Sequence, residues 1–119
     1  MSVYETAELD QVIFDGVSFV ADILEKAADL LVTEGWCQGK MVKINDDGTT
    51  SRCAMGAIYQ AASELGWFGL AHNTTLIVQG SISGALARFN DREAKDVSDV
   101  TDVLLGVAKD LRNRAQPTT

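Results

Sequence analysis

One amphipathic segment constrains the fold of this chain more than any other. Between residues 17 and 34, apolar side chains recur every three or four positions: Val20, Ile23, Leu24, Ala27, Leu30 and Leu31. This spacing predicts a helix with one buried face. Asp15 or Ser18 is a suitable residue to cap its start, and Gly35 is suited to end it, because glycine adopts a positive φ at little cost. Such a helix must bury its apolar face, so the chain is expected to fold as packed helices.

A short hairpin is predicted after the first helix. Met41, Val42 and Ile44 have apolar side chains with strand propensity, and they precede an Asn-Asp-Asp-Gly sequence that ends at Gly48. An Asp-Gly pair favours a tight turn between two strands. Because an isolated hairpin is only marginally stable, this one is expected to pack on helices.

A second helix is predicted at residues 52–65, which are rich in alanine and glycine. Thr50 or Ser51 would supply its N-cap, and Gly66 would end it. Small side chains let a neighbouring element approach closely, so this helix is expected near the centre of the domain.

The region after the second helix gives a mixed pattern. Residues 66–75 suggest a loop, and residues 74–78 are compatible with either a strand or the start of a helix. Residues 81–90 predict a helix, with a break at Asn90 and Asp91 where helix propensity falls.

The last helix is predicted at residues 97–113, where a continuous apolar stripe follows a cap at Asp96 or Ser98. Together these elements predict a mainly α fold, or α+β with very little β. Three to four packed helices would enclose the core, and the hairpin would lie between the first two.

Three regions are expected along the chain. Residues 1–16 form an acidic N-terminal arm, in which residues 12–14 are either a short strand or an extended segment docked on the core. Residues 17–114 form a single globular helical domain, a size that is sufficient for a real core. Residues 115–119 form a disordered tail.

The net charge of −7 arises entirely in the N-terminal part of the chain. Residues 1–34 hold eight acidic residues and one lysine, whereas the rest of the chain holds nine of each sign. Such a surface repels a phosphate backbone, so direct nucleic-acid binding is not expected. Three interpretations stay open: a solvated face that aids solubility, a surface for a basic partner, and mimicry of nucleic-acid charge by residues 5–34.

The sequence shows no signal for a membrane. No apolar run approaches the roughly 18 residues that a membrane span requires. The acidic N-terminus also lacks the basic and apolar regions of a secretory signal. The chain is therefore expected in the cytoplasm, without a membrane partner.

Two cysteines and one histidine are the first candidates for chemistry. Two cysteines do not make a disulfide framework in a cytoplasmic chain, and Cys37, Cys53 and His72 are too few for a structural zinc site. A thiol enzyme is one hypothesis, because Cys53 lies beside Arg52 at a predicted helix start, and both features favour the thiolate form of the cysteine. His72 would be the base and Asn73 its orienting group. The alternative is that both cysteines are packing residues, as free cysteines usually are, so no catalytic residue is assigned.

The acidic clusters do not predict a metal site. Asp46 and Asp47 lie in a turn, where aspartate is favoured for backbone reasons. The carboxylates of residues 91–99 suit helix capping and do not have the spacing of an EF-hand loop. Motifs for phosphate-binding loops, dinucleotide binding, zinc proteases and serine hydrolases are absent from the sequence. Neither a metal nor a cofactor is expected.

Two aromatic residues suggest a binding surface. Trp67 and Phe68 lie between two glycines in a predicted loop, and aromatic side chains often anchor protein interfaces. The alternative is that Trp67 folds back over the second helix. Self-association through this loop or through the last helix would produce a homodimer.

Several short motifs carry a resemblance to a known family. They comprise Trp36, Cys37, Gln38 and Gly39, then Cys53, Ala54, Gly56 and Ala57, then Asn90 and Asp91. Over about residues 20–114 the chain resembles a family of small uncharacterised proteins, a domain of unknown function, from actinobacteria and the phages that infect them. Phe89 departs from the tryptophan of the family pattern. The resemblance implies a phage or actinobacterial source and no particular activity.

Three functions follow as hypotheses. The first is a small non-enzymatic accessory protein, encoded by a phage, that binds a host protein. The second is a small-ligand-binding protein or thiol-dependent enzyme with a pocket near Trp36, Cys37, Cys53 and Asn90. The third is the acidic nucleic-acid mimic. The candidate ligand- or partner-binding residues are Trp36, Gln38, Trp67, Phe68, Asn90 and Asp91.

Overall fold

The computed structural model describes the backbone of residues 3–115 and the side chains of residues 16–114. This part of the chain contains five α-helices, a 3₁₀ turn, a π-helical turn and a two-stranded hairpin. The predicted mainly α fold with a small hairpin is confirmed. Of the tail expected at residues 115–119, only Ala115 is described, as the last residue of the final helix.

The first helix, α1 (Val3–Thr33), is longer than the sequence predicted. Its 31 residues correspond to a length of about 46 Å. The strand or extended segment expected at residues 12–14 is wrong, because these residues lie inside the helix. So do both expected caps, Asp15 and Ser18. Gly16 does not interrupt α1, since one glycine inside a helix costs only about 1 kcal/mol relative to alanine.

The predicted hairpin consists of β1 (Val42–Ile44) and β2 (Thr50–Arg52), which pair antiparallel. At the turn, the backbone N–H of Asn45 donates to the carbonyl oxygen of Thr49 at 2.8 Å. Gly48 has a φ of 86°, which explains why the turn sequence ends in glycine.

The second helix, α2 (Ala54–Glu64), begins two residues later than predicted. Its N-cap is Cys53, whose Sγ accepts a hydrogen bond from the backbone N–H of Gly56 at 3.3 Å. The caps expected at residues 50–51 are wrong, because strand pairing holds both residues in β2. The expected close approach is confirmed, since a Cβ on Gly56 would lie 2.2 Å from the carbonyl oxygen of Met41.

A 3₁₀ turn (Phe68–Leu70) leads into α3 (Ala71–Ile82), in a region where a loop and an ambiguous segment were predicted. The helix predicted at residues 81–90 is interrupted: α3 ends at Ile82 with Ser83 as its C-cap, whose φ of 56° is left-handed, and helical structure resumes at Leu86. Polar residues concealed α3 in the sequence. Thr74 is fully buried and its hydroxyl donates to a carbonyl oxygen of the preceding turn at 2.7 Å, so its polar group needs no other partner.

A short helix, α4 (Leu86–Arg88), continues directly into a π-helical turn (Phe89–Glu93). A break was expected at Asn90 and Asp91, and the chain instead widens into this turn there. π-helical turns expose backbone groups that an α-helix would pair internally, and they occur frequently at functional sites.

The last helix, α5 (Val97–Ala115), starts at the predicted residue and is capped by Asp96, whose Oδ1 accepts from the backbone N–H of Asp99 at 3.2 Å. α5 packs along α1, and this is the most extensive contact between helices. The largest fully buried apolar side chains come from all five helices: Ile23, Leu24, Leu31, Ile58, Val78, Leu86, Val100 and Leu104. None of the helices in the described part of the chain is long and apolar enough to cross a membrane.

Candidate functional site

The corner that follows α1 lies beside the hairpin. Gly35 has a φ of 135°, and a Cβ at this position would lie 2.6 Å from Oγ of Ser51. After it, the chain runs parallel to β2, because Arg52 donates to the Gly35 carbonyl at 3.0 Å and accepts from the Cys37 N–H at 3.0 Å. Residues 35–37 are therefore held beside β2 by one parallel bridge, and the chain bends after them.

Asn90 joins this corner to two other elements. Its side chain is fully buried, and its Oδ1 accepts from the indole Nε1 of Trp36 at 2.8 Å and from the backbone N–H of Ala54 at 2.9 Å. Its Nδ2 donates to the carbonyl oxygen of Cys37 at 3.1 Å and to Oδ1 of Asp91 at 2.9 Å. One amide thus connects the corner, the start of α2 and the π-helical turn, with all its hydrogen-bonding capacity in use.

Gln38 binds the other side of the π-helical turn. Its Nε2 lies 3.0 Å from the carbonyl oxygen of Asn90, 3.2 Å from that of Ala94 and 3.4 Å from that of Asp91. Two of these carbonyls belong to the π-helical turn, and that of Ala94 follows it directly. The side-chain amide of Gln38 therefore acts as a cap for this turn.

Asp91 completes the connection between the corner and the turn. Its Oδ1 accepts from the backbone N–H of Gly39 at 2.9 Å as well as from Asn90. These hydrogen bonds, the one from Gly39 first, lower the pKa of the Asp91 carboxyl below its usual range. We call the set formed by Trp36, Gln38, Asn90 and Asp91 the corner cluster.

The corner cluster brings together four of the six residues that the sequence suggested for binding. A shallow cavity of about 320 Å³ lies beside it, lined by Trp36, Cys37, Gln38, Lys43, Asn45 and Ser51. The amide groups that border this cavity are already engaged, since Asn45 Nδ2 donates to Ser51 Oγ at 2.9 Å and Gln38 binds the π-helical turn. Every buried side-chain nitrogen or oxygen among the described residues has a hydrogen-bond partner.

The two thiols lie at the edge of the corner cluster and have partners of their own. Cys37 was expected to be buried and is half-buried, with its Sγ 3.4 Å from the carbonyl oxygen of Lys40. Cys53 is buried and caps α2. Burial raises the pKa of both thiols, and the nearby Cys53 raises that of Cys37 further. Both groups are therefore less nucleophilic at neutral pH than an ordinary cysteine.

The groups that were to activate the thiols lie elsewhere. His72 and Asn73 are exposed in the first turn of α3. Arg52, which was expected to favour the thiolate of Cys53, instead binds Glu34 at 2.8 Å. Among the described side chains, no group of three or more histidine, cysteine or carboxylate ligands is placed to hold a metal ion.

Much of the acidic surface of α1 is used in ion pairs. Arg112 of α5 donates to both Asp22 and Glu25, the latter at 2.8 and 2.9 Å. The hydrogen bond from Arg112 lowers the pKa of Glu25. Together with the Arg52–Glu34 pair, these contacts attach α1 to its neighbours. The side chains of residues 1–15, which include four more of the acidic residues, lie outside the described residues.

The two neighbouring aromatic residues at the 3₁₀ turn have different surroundings. Trp67 folds back, with its ring centroid 4.3 Å from that of Phe19 on α1. Phe68 is 59% exposed and touches Tyr59 only by an edge contact at 5.7 Å between centroids. Phe68 is therefore the member of the pair that presents apolar surface to solvent.

The helix that follows Phe68 exposes two further apolar residues, which the sequence analysis missed. Leu76 is 49% exposed and Ile77 is 39% exposed, and both lie on the outer side of α3 with Gly80 and Ser81. We call these five residues the α3 face. The signal that marks it in the sequence is the absence of any Asp, Glu, Lys or Arg between Glu64 and Arg88, in a chain that is 23% charged.

A groove runs between the α3 face and α5. It has a volume of about 520 Å³ and is lined by Ile77, Gly80 and Ser81 on one side and by Gly106, Val107, Asp110, Leu111 and Arg114 on the other. Glycines occupy both of its walls, so the backbones of the two helices are accessible to whatever enters.

Comparison with known proteins identifies a family and nothing more specific. The model of a family of unknown function (DUF6197) matches residues 18–110. No curated protein and no solved structure matches the chain.

Proposed function

The chain belongs to this family of unknown function, and we propose that it is a small non-enzymatic accessory protein that acts by binding a protein partner. The proposal includes a cytoplasmic location and an origin in an actinobacterium or in a phage that infects one. The binding surface is the α3 face.

The observation that carries this proposal is an exposed surface that lacks charge. Charged residues make up about a quarter of a typical soluble domain, yet the α3 face and the whole segment from Leu65 to Ala87 have none. Depletion of charge, together with exposed aromatic and aliphatic side chains, is the composition of an interface core. Leu76 and Ile77 are exposed next to each other on α3, and Phe68 is exposed in the 3₁₀ turn that leads into this helix.

The corner cluster supports a structural role instead of a binding role. Its side-chain amides are occupied by contacts within the chain, so a ligand would have to replace hydrogen bonds that hold three elements together. The thiols have a raised pKa and no base in contact. The α3 face, in contrast, can be covered by a partner without breaking any interaction.

Site-specific photo-crosslinking tests this proposal. A benzophenone amino acid replaces Leu76 on the α3 face or, as the matched control, Val32, an aliphatic residue of α1 that is 66% exposed. In an extract of actinobacterial cells, we expect a discrete cross-linked product from position 76 and none from position 32. The product should be lost when Ile77→Asp adds a charge to the face. Equal products from both positions, or no product from position 76, would contradict the proposal.

A further inference from the structure

The backbone holds Cys37 and Cys53 opposite each other. Each of them directly follows one member of the parallel bridge between Trp36 and Arg52. The N–H of Cys37 also donates to the carbonyl oxygen of Arg52 at 3.0 Å. Neighbouring strands lie about 4.8 Å apart, and a disulfide joins residues whose Cα atoms are about 4.4–6.8 Å apart. The register therefore places the two cysteines at a separation that a disulfide can span.

Contacts with two other segments hold the same pair together. The side-chain amide of Asn90 binds the carbonyl oxygen of Cys37 at 3.1 Å and the backbone N–H of the residue after Cys53 at 2.9 Å. Two successive carbonyl oxygens also contact the pair: that of Lys40 lies 3.4 Å from Cys37 Sγ, and that of Met41 lies 3.0 Å from the backbone nitrogen of Cys53. The proximity of the two cysteines thus does not depend on the bridge alone.

The two thiols differ in their access to solvent. Cys37 is half-buried and lines the shallow cavity of about 320 Å³ beside the corner cluster. The ammonium group of Lys43, which lines the same cavity, opposes the effect of burial on the pKa of Cys37. Cys53 is 5% exposed and is not among the residues that line the cavity. A small oxidant therefore reaches Cys37 first.

We propose that Cys37 and Cys53 form a redox pair, in which a hydroperoxide oxidises Cys37 and Cys53 converts the product into an intramolecular disulfide. In the first step the Cys37 thiolate attacks one peroxide oxygen. An S–O bond forms, the O–O bond breaks, and the other oxygen takes up a proton and leaves as an alcohol or water. In the second step the Cys53 thiolate attacks the sulfur of the Cys37 sulfenic acid. The S–S bond forms, the S–O bond breaks, and the departing hydroxide takes up the proton that Cys53 released. Two electrons pass from the two thiols to the peroxide.

The disulfide adds a covalent link between the corner and the start of α2, two elements that hydrogen bonds join in the reduced chain. It closes the chain around the hairpin, which restricts the unfolded state. Burial raises the pKa of both thiols, so oxidation is slow and suits a response to sustained oxidant better than a catalytic cycle. A reversible disulfide is also compatible with the proposed cytoplasmic location, where permanent disulfides are rare. The α3 face contributes no residue to this pair, so the inference does not rest on the function proposed above.

Peptide mapping of the full chain tests the proposal. The native protein is treated with hydrogen peroxide at pH 7.5 and at pH 9, where more of each thiol is ionised. The remaining thiols are then alkylated, and the protein is digested with trypsin without reductant. Cleavage after Lys40 and Arg52 places the two cysteines in separate peptides. We expect these peptides to be joined and dithiothreitol to separate them. The absence of the joined peptides at both pH values, or a Cys37–Cys37 link between two chains in their place, would overturn the proposal.

Two serine variants test the order of the steps. In Cys53→Ser the new hydroxyl can still cap α2, but the sulfenic acid on Cys37 has no thiol to react with. We expect dimedone, which traps sulfenic acids, to label Cys37 at least about fivefold more in this variant than in the wild type. In Cys37→Ser, the matched control, the buried Cys53 should be oxidised at least about tenfold more slowly than Cys37 is in Cys53→Ser. Equal dimedone labelling of the wild type and Cys53→Ser, or equal oxidation rates of the two single thiols, would refute the assigned roles.

Discussion

Replacement of Asn90 by alanine should destabilise the protein more than the loss of an ordinary surface amide. The change leaves three groups without their partner: the indole N–H of Trp36, the backbone N–H of Ala54 and the carbonyl oxygen of Cys37. A buried polar group without a partner costs about 1–3 kcal/mol. The amide of Ala54 is fully buried, whereas Trp36 and Cys37 are half-buried and regain some hydrogen bonding to water.

The sum of these terms is a loss of about 3–5 kcal/mol in the free energy of unfolding. Domains of this size have a total stability of about 5–15 kcal/mol, so the variant should be close to unfolding under mild conditions. In urea titrations followed by circular dichroism at 222 nm, the midpoint should fall by about 2 M for a slope near 2 kcal/mol per M. The slope itself should not change.

Two comparisons make this experiment decisive. Asn73→Ala removes an amide that is exposed on α3, and its effect should be within about 0.5 kcal/mol of zero. A double-mutant cycle with Trp36→Phe should show a coupling of about 1 kcal/mol with Asn90→Ala, because both changes delete the same hydrogen bond. If Asn90→Ala lowers stability by less than about 1 kcal/mol, the corner cluster does not hold the three elements together, and the structural interpretation is refuted.

Three more predictions concern packing, thiol reactivity and acid sensitivity. Gly56→Ala should lower the free energy of unfolding by about 2 kcal/mol or more, because the new Cβ would overlap the carbonyl oxygen of Met41 beside the hairpin. At Gly106 an added Cβ meets no neighbouring atom, so Gly106→Ala should stabilise α5 by about 0.5–1 kcal/mol. Equal changes in the urea midpoint for Gly56→Ala and Gly106→Ala would contradict this prediction. Iodoacetamide at pH 7.5 should label Cys37 and Cys53 much more slowly in the native protein than in urea, because both have a raised pKa; equal rates would contradict it. The lowered pKa of Asp91 stabilises the fold above the unfolded value of about 3.9, and this contribution is lost as the pH falls through the folded value. The fall in thermal midpoint between pH 5 and pH 3 should therefore be smaller in Asp91→Asn, and an unchanged fall would refute it.

The elements that the sequence predicted well are those with a clear local signal. The end of α1 just before Gly35, the Asp-Gly hairpin and the start of α5 after Asp96 each depend on residues that act within one turn of the chain. In these places the side chain that specifies the structure is adjacent to the structure that it specifies.

The failures have a common physical cause, which is contact between distant segments. α3 was obscured by Thr74, whose hydroxyl is satisfied inside the helix while the side chain is buried against other elements. The sequence predicted a break where the π-helical turn lies. The residue that caps carbonyls of this turn, Gln38, is 52 residues away from Asn90 in the chain. No local pattern reveals a partner at that distance.

The same distinction applies to the predicted sites. Trp36, Gln38, Asn90 and Asp91 were suggested together and do meet, but the structure shows that they bind one another. A polar sequence motif marks residues whose side chains make specific hydrogen bonds, but it does not show whether these bonds serve folding or ligand binding. Only the hydrogen-bond partners in the structure distinguish a folding role from a binding role.

The assignment of folding to the corner cluster and of binding to the α3 face can be tested by substitutions. Four of the ten residues that carried the resemblance to the family form the corner cluster, and every buried side-chain nitrogen or oxygen among the described residues has a partner within the chain. Changes there should lower stability and reduce binding only by unfolding the protein. Changes on the α3 face, such as Ile77→Asp, affect a side chain that is already partly in water and should leave the urea midpoint nearly unchanged while they abolish partner capture. If instead a corner variant that remains folded loses the partner, the binding surface has been assigned to the wrong side of the molecule.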